Sequence, residues 1–164
     1  EAFVQLNRQH KGRVVIYHPG LNQSMEAIED MLVNPTVAMG LADSGAHVGQ
    51  IMDASSPTWL LSYWVRERGV LSVEEAIRGW TSDTANLFGV RERGVLKEGA
   101  YADVNVIDLD NLAIDLPEYK HDFPGGAGRY VQTGRGYDFV LVNGQVFMES
   151  GEHSGALSGQ ILRS

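Results

Sequence analysis

The 164-residue sequence contains no cysteine. That excludes a disulfide framework, a thiolate nucleophile and any zinc site built on sulfur. Basic residues are few: 13 Lys+Arg stand against 21 Asp+Glu, a formal net charge of −8. A sequence-independent nucleic-acid binder needs a basic face to displace counterions, and a polybasic membrane anchor needs a cationic cluster, so the charge argues against both. No stretch approaches the roughly 20 consecutive apolar residues that span a bilayer. Neither a basic n-region nor an apolar h-region follows Glu1, so nothing reads as a secretory signal, and a cytoplasmic setting is expected. The five histidines (His10, His18, His47, His121 and His153) form no His-x-His or i, i+4 pair, so a local metal-binding pair is missing. No Gly-x-Ser-x-Gly elbow occurs, and the glycines at 125, 126 and 128 neither follow a strand nor open a helix.

What is present reads as two kinds of structure. Val14–Tyr17 is a short β-branched run closed by His18-Pro19-Gly20. Ser24 can cap a helix from Met25 to Leu32, whose apolar residues Met25, Ile28, Met31 and Leu32 recur at three- and four-residue steps. Asn34-Pro35 stops that helix, and residues 36–41 read as a buried strand. Strand, turn, helix, strand is the grammar of a parallel α/β sheet. After a polar irregular stretch, Pro57 opens a helix through Trp64 and Val65. Its Trp59, Leu60, Tyr63 and Trp64 are spaced for core packing. Ser72-Val73-Glu74-Glu75 matches a capping box. Thr81 or Ser82 can cap a further helix that ends at Gly89. From Gly94 the period changes to two. Residues 102–108 alternate as a strand does, and Phe139–Phe147 is a hairpin around Asn143-Gly144. Residues 116–136, rich in Gly, Pro and charge, read as an excursion loop. The organisation is therefore α/β over residues 1–93 and mostly β over residues 94–164.

The leading candidate for chemistry is Asp43, just past the carboxyl end of the predicted strand 36–41. That edge is where parallel α/β folds gather ligands and catalytic groups. A carboxylate there can ligate a cation or move protons. His47 in the same loop can donate or accept hydrogen bonds, and it is the one base near Ser44. The competing reading is an ordinary turn, since Asp-Ser-Gly also bonds to its own backbone two residues on. His18 either faces a site or satisfies a loop carbonyl, and His121 and His153 read as solvated loop residues.

Three stretches together carry a family resemblance. The first is Gly40-Leu41-Ala42-Asp43-Ser44-Gly45-Ala46-His47 with Asp53–Thr58. The second runs from Leu71 through Thr81–Ala85 and Arg93–Gly99 to Asp108. The third is Val142–Val146 with Gly151–Ala156, Gly159 and Arg163. The chain resembles the carboxyl-terminal part of the amidohydrolase superfamily, in its N-acyl-D-amino-acid deacylase (D-aminoacylase) branch. The resemblance implies the last βα units of a metal-dependent (β/α)8 barrel over residues 1–93, followed by part of a small β-sandwich over 94–164. It implies an amidohydrolase acting on carbon–nitrogen bonds other than peptide bonds, converting an N-acyl-D-amino acid to a carboxylate and a D-amino acid. Asp43 would be the catalytic proton carrier and a metal ligand. Ser44 and His47 would contact the substrate, and one or two Zn2+ ions would be the cofactor.

A whole barrel takes about 250 residues, and the family's other metal ligands lie on earlier strands. The chain is thus expected to be a fragment, poorly stable in isolation, with no tight metal binding and no deacylase activity of its own. The expected partner is a small N-acyl amino acid, with neither nucleic acid nor membrane, and the oligomeric state is left open. Two other readings compete: a cyclic-amide hydrolase related to dihydropyrimidinase or dihydroorotase, and a non-catalytic α+β binding domain in which Asp43 is only a turn residue.

Overall fold

A computed structural model describes residues 1–14, 21–40, 42–49 and 53–162. Two compact units divide the chain, Glu1–Met31 and Leu32–Ser164.

In the first unit, helix α1 (Ala2–Gln9) has no buried residue; its sequence carries no cap that would have announced it. Helix α2 (Met25–Leu32) starts as expected. The Ser24 hydroxyl accepts from the Ala27 N–H at 3.2 Å, and the Ile28 N–H donates to the Ser24 carbonyl at 3.1 Å. The expected strand at Val14–Tyr17 falls, beyond Val14, outside the described residues, as does His18.

The second unit opens with an Asx turn, in which Asn34 Oδ1 accepts from the backbone N–H and hydroxyl of Thr36. The expected buried strand at 36–41 is not formed over its described residues 36–40: they have no ladder partner and are mostly exposed. Their binding is to helices instead. The Thr84 hydroxyl donates to the Met39 carbonyl at 2.8 Å, and the Met39 side chain lies over Gly79, where a Cβ would come within 2.9 Å of the sulfur. Among the described residues every strand pair is antiparallel, so the parallel sheet read from strand–helix–strand alternation is absent there.

Helix α3 (Ser56–Trp59) carries Pro57 in its first turn, as expected, and continues as a π-helix, Leu60–Glu67. Leu60, Leu61, Trp64 and Val65 are buried, and this four-residue recurrence suits the wider i→i+5 winding. Trp59 does not join them: it is 45% exposed and stacks on Tyr63 at 4.5 Å. Helix α4 (Val73–Arg78) has the full capping box. The Ser72 hydroxyl accepts from the Glu75 N–H, and the Glu75 carboxylate accepts from the Ser72 N–H at 2.8 Å. It runs through a π-helical stretch, Gly79–Asp83, into helix α5 (Thr84–Leu87). Thr81 and Ser82 are therefore not caps. Their hydroxyls donate back to the Ile77 and Arg78 carbonyls. Gly89 is the expected left-handed stop, with φ +69° and the Val90 N–H reaching back to the Ala85 carbonyl.

Strands β1 (Val104–Ile107), β6 (Tyr137–Val142), β7 (Gln145–Glu149) and β8 (Glu152–His153) form one antiparallel sheet in that order. The β6–β7 hairpin turns at Asn143-Gly144 with φ +51° and +75°, as the Asn-Gly pair predicts. The region expected to be a loop is built differently. Strand β2 (Ala113–Ile114) pairs with β5 (Gly134–Arg135), and β3 (Glu118–Lys120) pairs with β4 (Arg129–Val131) as a short ribbon.

The helices dock on this β part. Thr58 and Tyr137 share a 2.8 Å hydrogen bond between their hydroxyls, and Arg66 Nη1 donates to the carbonyls of Leu109, Asp110 and Leu112. Leu112, fully buried, joins Leu60, Leu61, Trp64, Val65 and Ala76 as the buried apolar core.

Candidate functional site

The loop carrying Asp43 is held from both ends. Upstream, Met39 is fixed to α5 by the Thr84 hydroxyl. Downstream, the Tyr130 N–H of β4 donates to the Val48 carbonyl at 3.1 Å. Between them the chain makes a reverse turn in which the Ala46 N–H donates to the Asp43 carbonyl at 3.1 Å. Asp43 (φ +52°) and His47 (φ +50°) are both left-handed. Asp tolerates that conformation because its short polar side chain bonds locally.

Asp43 and His47 are exposed, and Ser44 is half-buried between them. Asp43 and Ser44 lie in this turn, and His47 directly follows it in the same loop. A groove of about 600 Å³ runs between residues 32–39 and helices α4 and α5, and a second cavity of about 360 Å³ lies beside β5 and β6; neither is lined by Asp43, Ser44 or His47.

Two of the other described histidines, His121 and His153, bond to nearby backbone. His121 Nδ1 is 3.0 Å from the Gly126 carbonyl. His153 Nδ1 accepts from the Gly155 N–H, and the ring stands edge-on to Phe147. His10 is exposed at the end of α1.

Among the described residues no three His, Asp or Glu side chains gather where they could hold a metal ion. Asp43 offers oxygen ligands but belongs to no such group of three, so the described residues by themselves do not fit a metal centre.

Sequence reasoning missed the residues that position the turn, Thr84 and Tyr130. They act across 45 residues of sequence (Met39 to Thr84) and 82 (Val48 to Tyr130), a range at which local patterns carry no signal.

Residues 3–148 match the amidohydrolase family, and the chain belongs to it. Within that class it is similar to N-acyl-D-aspartate deacylase of Alcaligenes xylosoxydans xylosoxydans, at 34% identity over 106 residues, 64% of this chain and 19% of the relative. Among solved structures it is similar to a D-aminoacylase (TM-score 0.53, 30% identity, 66% of this chain and 21% of that one). It is also similar to N-acyl-D-glutamate deacylase of Bordetella bronchiseptica, solved with zinc and a phosphonate mimic of the tetrahedral intermediate (TM-score 0.52, 34% identity, 65% of this chain and 20% of that one). The chain spans about a fifth of the length of these relatives. No helix among the described residues is long and apolar enough to cross a membrane.

Proposed function

We propose that this chain supplies the proton-carrying carboxylate of an N-acyl-D-amino-acid deacylase that functions in the cytoplasm. Residues 1–93 would belong to its (β/α)8 barrel and 94–164 to its β-sandwich. The observation that supports this reading best is the family match over residues 3–148, joined to deacylase relatives at 30–34% identity. Zinc is the metal of one such relative. In this protein a zinc site would take at most Asp43 from the described residues and its other ligands from elsewhere in the deacylase.

The chemistry assigned to this chain's own residues is proton transfer. A water oxygen bonds to the amide carbon, and the proton it loses goes to an Asp43 carboxylate oxygen. The same proton then passes to the amide nitrogen as the carbon–nitrogen bond breaks, so the amine leaves neutral and the carboxylate is restored. Two features of the turn suit the task. The Asp43 carboxylate is exposed to incoming water and substrate, and the backbone carrying it is tethered at Met39 and Val48. Ser44 and His47 would hydrogen-bond the substrate from the same loop.

Asp43→Asn in the whole deacylase tests the assignment. Asn keeps the shape and tolerates the left-handed backbone but cannot take up the proton. Turnover of an N-acetyl-D-amino acid should fall about 10²–10⁴-fold in kcat with little change in KM. Turnover within a few-fold of the unsubstituted enzyme would remove Asp43 from the mechanism.

A further inference from the structure

Beside the Asp43 turn stands the β3–β4 ribbon, which carries more exposed aromatic surface than its size requires. Tyr119 and Tyr130 face each other across the ribbon in register, their rings edge-to-face at 4.9 Å, and His121 stands edge-on to Tyr119 at 5.2 Å. Tyr119 is 50% exposed and Phe123 36%.

This cluster is built rather than floppy. The tip is closed by Arg129, which grips Asp122 through two nitrogens at 2.8 and 2.7 Å and lies over the Phe123 ring at 5.1 Å. The Gly126 N–H donates to the Phe123 carbonyl at 3.0 Å, and His121 is held to the Gly126 carbonyl. Gly128 makes room for the Tyr119 ring: a Cβ there would lie 2.6 Å from both Cζ and Oη. The ribbon is joined to the candidate site by its own backbone, since Tyr130 is the residue bonded to Val48, one position past His47.

We propose that the β3–β4 ribbon is a specificity wall for the site on the Asp43 turn, with Tyr119 and Phe123 receiving the apolar acyl chain of the substrate. The inference rests on the deacylase reading given above. Charge decides which part of the substrate the ribbon takes. An acidic amino-acid side chain needs an uncommitted cation, whereas Arg129 is committed to Asp122 and Lys120 lies 3.4 Å from Glu118. What the ribbon presents outward is aromatic carbon, which suits methylenes. Rings already locked in place lose little conformational freedom when a chain packs on them.

The test compares N-acetyl with N-hexanoyl derivatives of one D-amino acid as substrates of the whole zinc-loaded deacylase. Each methylene in an apolar pocket is worth roughly 10-fold or more in discrimination at full contact. Tyr119→Ala should therefore lower the hexanoyl-to-acetyl ratio of kcat/KM about 10-fold, through KM for the long substrate. Tyr119→Phe should preserve the ratio. Gly128→Ala should lower it as well, because the new methyl group pushes the Tyr119 ring out of its place against Tyr130. An unchanged ratio in Tyr119→Ala and Gly128→Ala, or an equal loss on both substrates, overturns the proposal and leaves the deacylase reading standing. A shift tracking the amino-acid side chain instead of the acyl length also overturns it. No hydrolysis of either substrate by the unsubstituted enzyme overturns the deacylase reading and this inference together.

Discussion

Individual residues in this chain are constrained mainly where backbone meets backbone. Gly136 is the sharpest case. Its φ is +89°, and a Cβ would lie 2.7 Å from Leu112 Cα and 2.9 Å from the Asp108 carbonyl oxygen, neither of which can swing aside. Leu112 is fully buried, and the Asp108 N–H donates to the Gly136 carbonyl at 2.9 Å, so the whole corner would have to shift. Gly151 provides the control: its φ is +86°, with nothing within 4 Å of the added atom. Gly151→Ala therefore carries the conformational cost alone, about 1 kcal/mol, while Gly136→Ala adds overpacking of about 1–3 kcal/mol. Urea denaturation of the two variants should separate them by at least that added amount. Equal midpoints would mean that the Leu112 corner is not packed against Gly136. Asp43 is the contrasting case: it is exposed, and its backbone carbonyl accepts from the Ala46 N–H.

Elements were legible in the sequence where their signals are local. The Ser72–Glu75 box, Pro57 at a first turn, Gly89 as a stop and Asn143-Gly144 as a hairpin each depend on residues within four positions, and each forms. Elements that depend on distant partners were not legible. Residues 36–40 have the composition of a buried strand, but a strand needs a neighbour to bond, and here Thr84 takes the Met39 carbonyl instead. The β3–β4 ribbon hides in a segment of turn formers because its pairing joins three-residue strands. Thr81 and Ser82 have cap chemistry, but the helix is already wound through them. The Asp43 turn shows the same division: the turn itself was readable from Asp-Ser-Gly, its anchors at Thr84 and Tyr130 were not.

The capping box also gives an element-scale prediction with a pH signature. Ser72→Ala should destabilise α4 by about 1 kcal/mol. The Glu75 carboxyl is held below its ordinary range, first by the Ser72 backbone N–H, then by the Ser72 hydroxyl, with Arg78 adding to both. A carboxyl with a lowered folded-state pKa contributes stability above its unfolded value, about 4.3, and loses it as pH falls through the folded value. The deficit of Glu75→Ala against the parent chain should be present at pH 7 and shrink in acid. Asp122, lowered by Arg129, and Asp108, lowered by Asn111, should behave in the same direction. A Glu75→Ala deficit that grows on acidification would contradict the box.

At the scale of the whole molecule, the decisive quantity is surface. A folded monomer of 18.0 kDa exposes roughly 8,000 Å² by the usual size scaling, and counting the two compact units apart raises that only to roughly 9,300 Å². The chain exposes 12,279 Å². Apolar side chains are part of it: Phe88, Leu96 and Leu116 are more than two-thirds exposed, and β1 is a sheet edge with its outer side unpaired among the described residues. Surface of that kind is normally covered. The 164-residue polypeptide by itself should therefore bind a hydrophobic dye such as ANS strongly and unfold at low denaturant.

Metal binding is limited by what the described residues supply. A divalent cation is held tightly when three or four ligands are already oriented by folded structure. The described residues bring no three together, and the Asp43 turn contributes one carboxylate. Titration of the isolated 164-residue chain with Zn2+ in a calorimeter should give no saturable heat in the micromolar range. Asp43→Asn should leave that blank titration unchanged. In the proposed deacylase the same substitution should weaken zinc binding if the carboxylate is a ligand, and leave it intact if Asp43 carries protons alone. Micromolar binding by the isolated chain, abolished by Asp43→Asn, would show that the turn builds a metal site by itself. That result would overturn the division of labour proposed here.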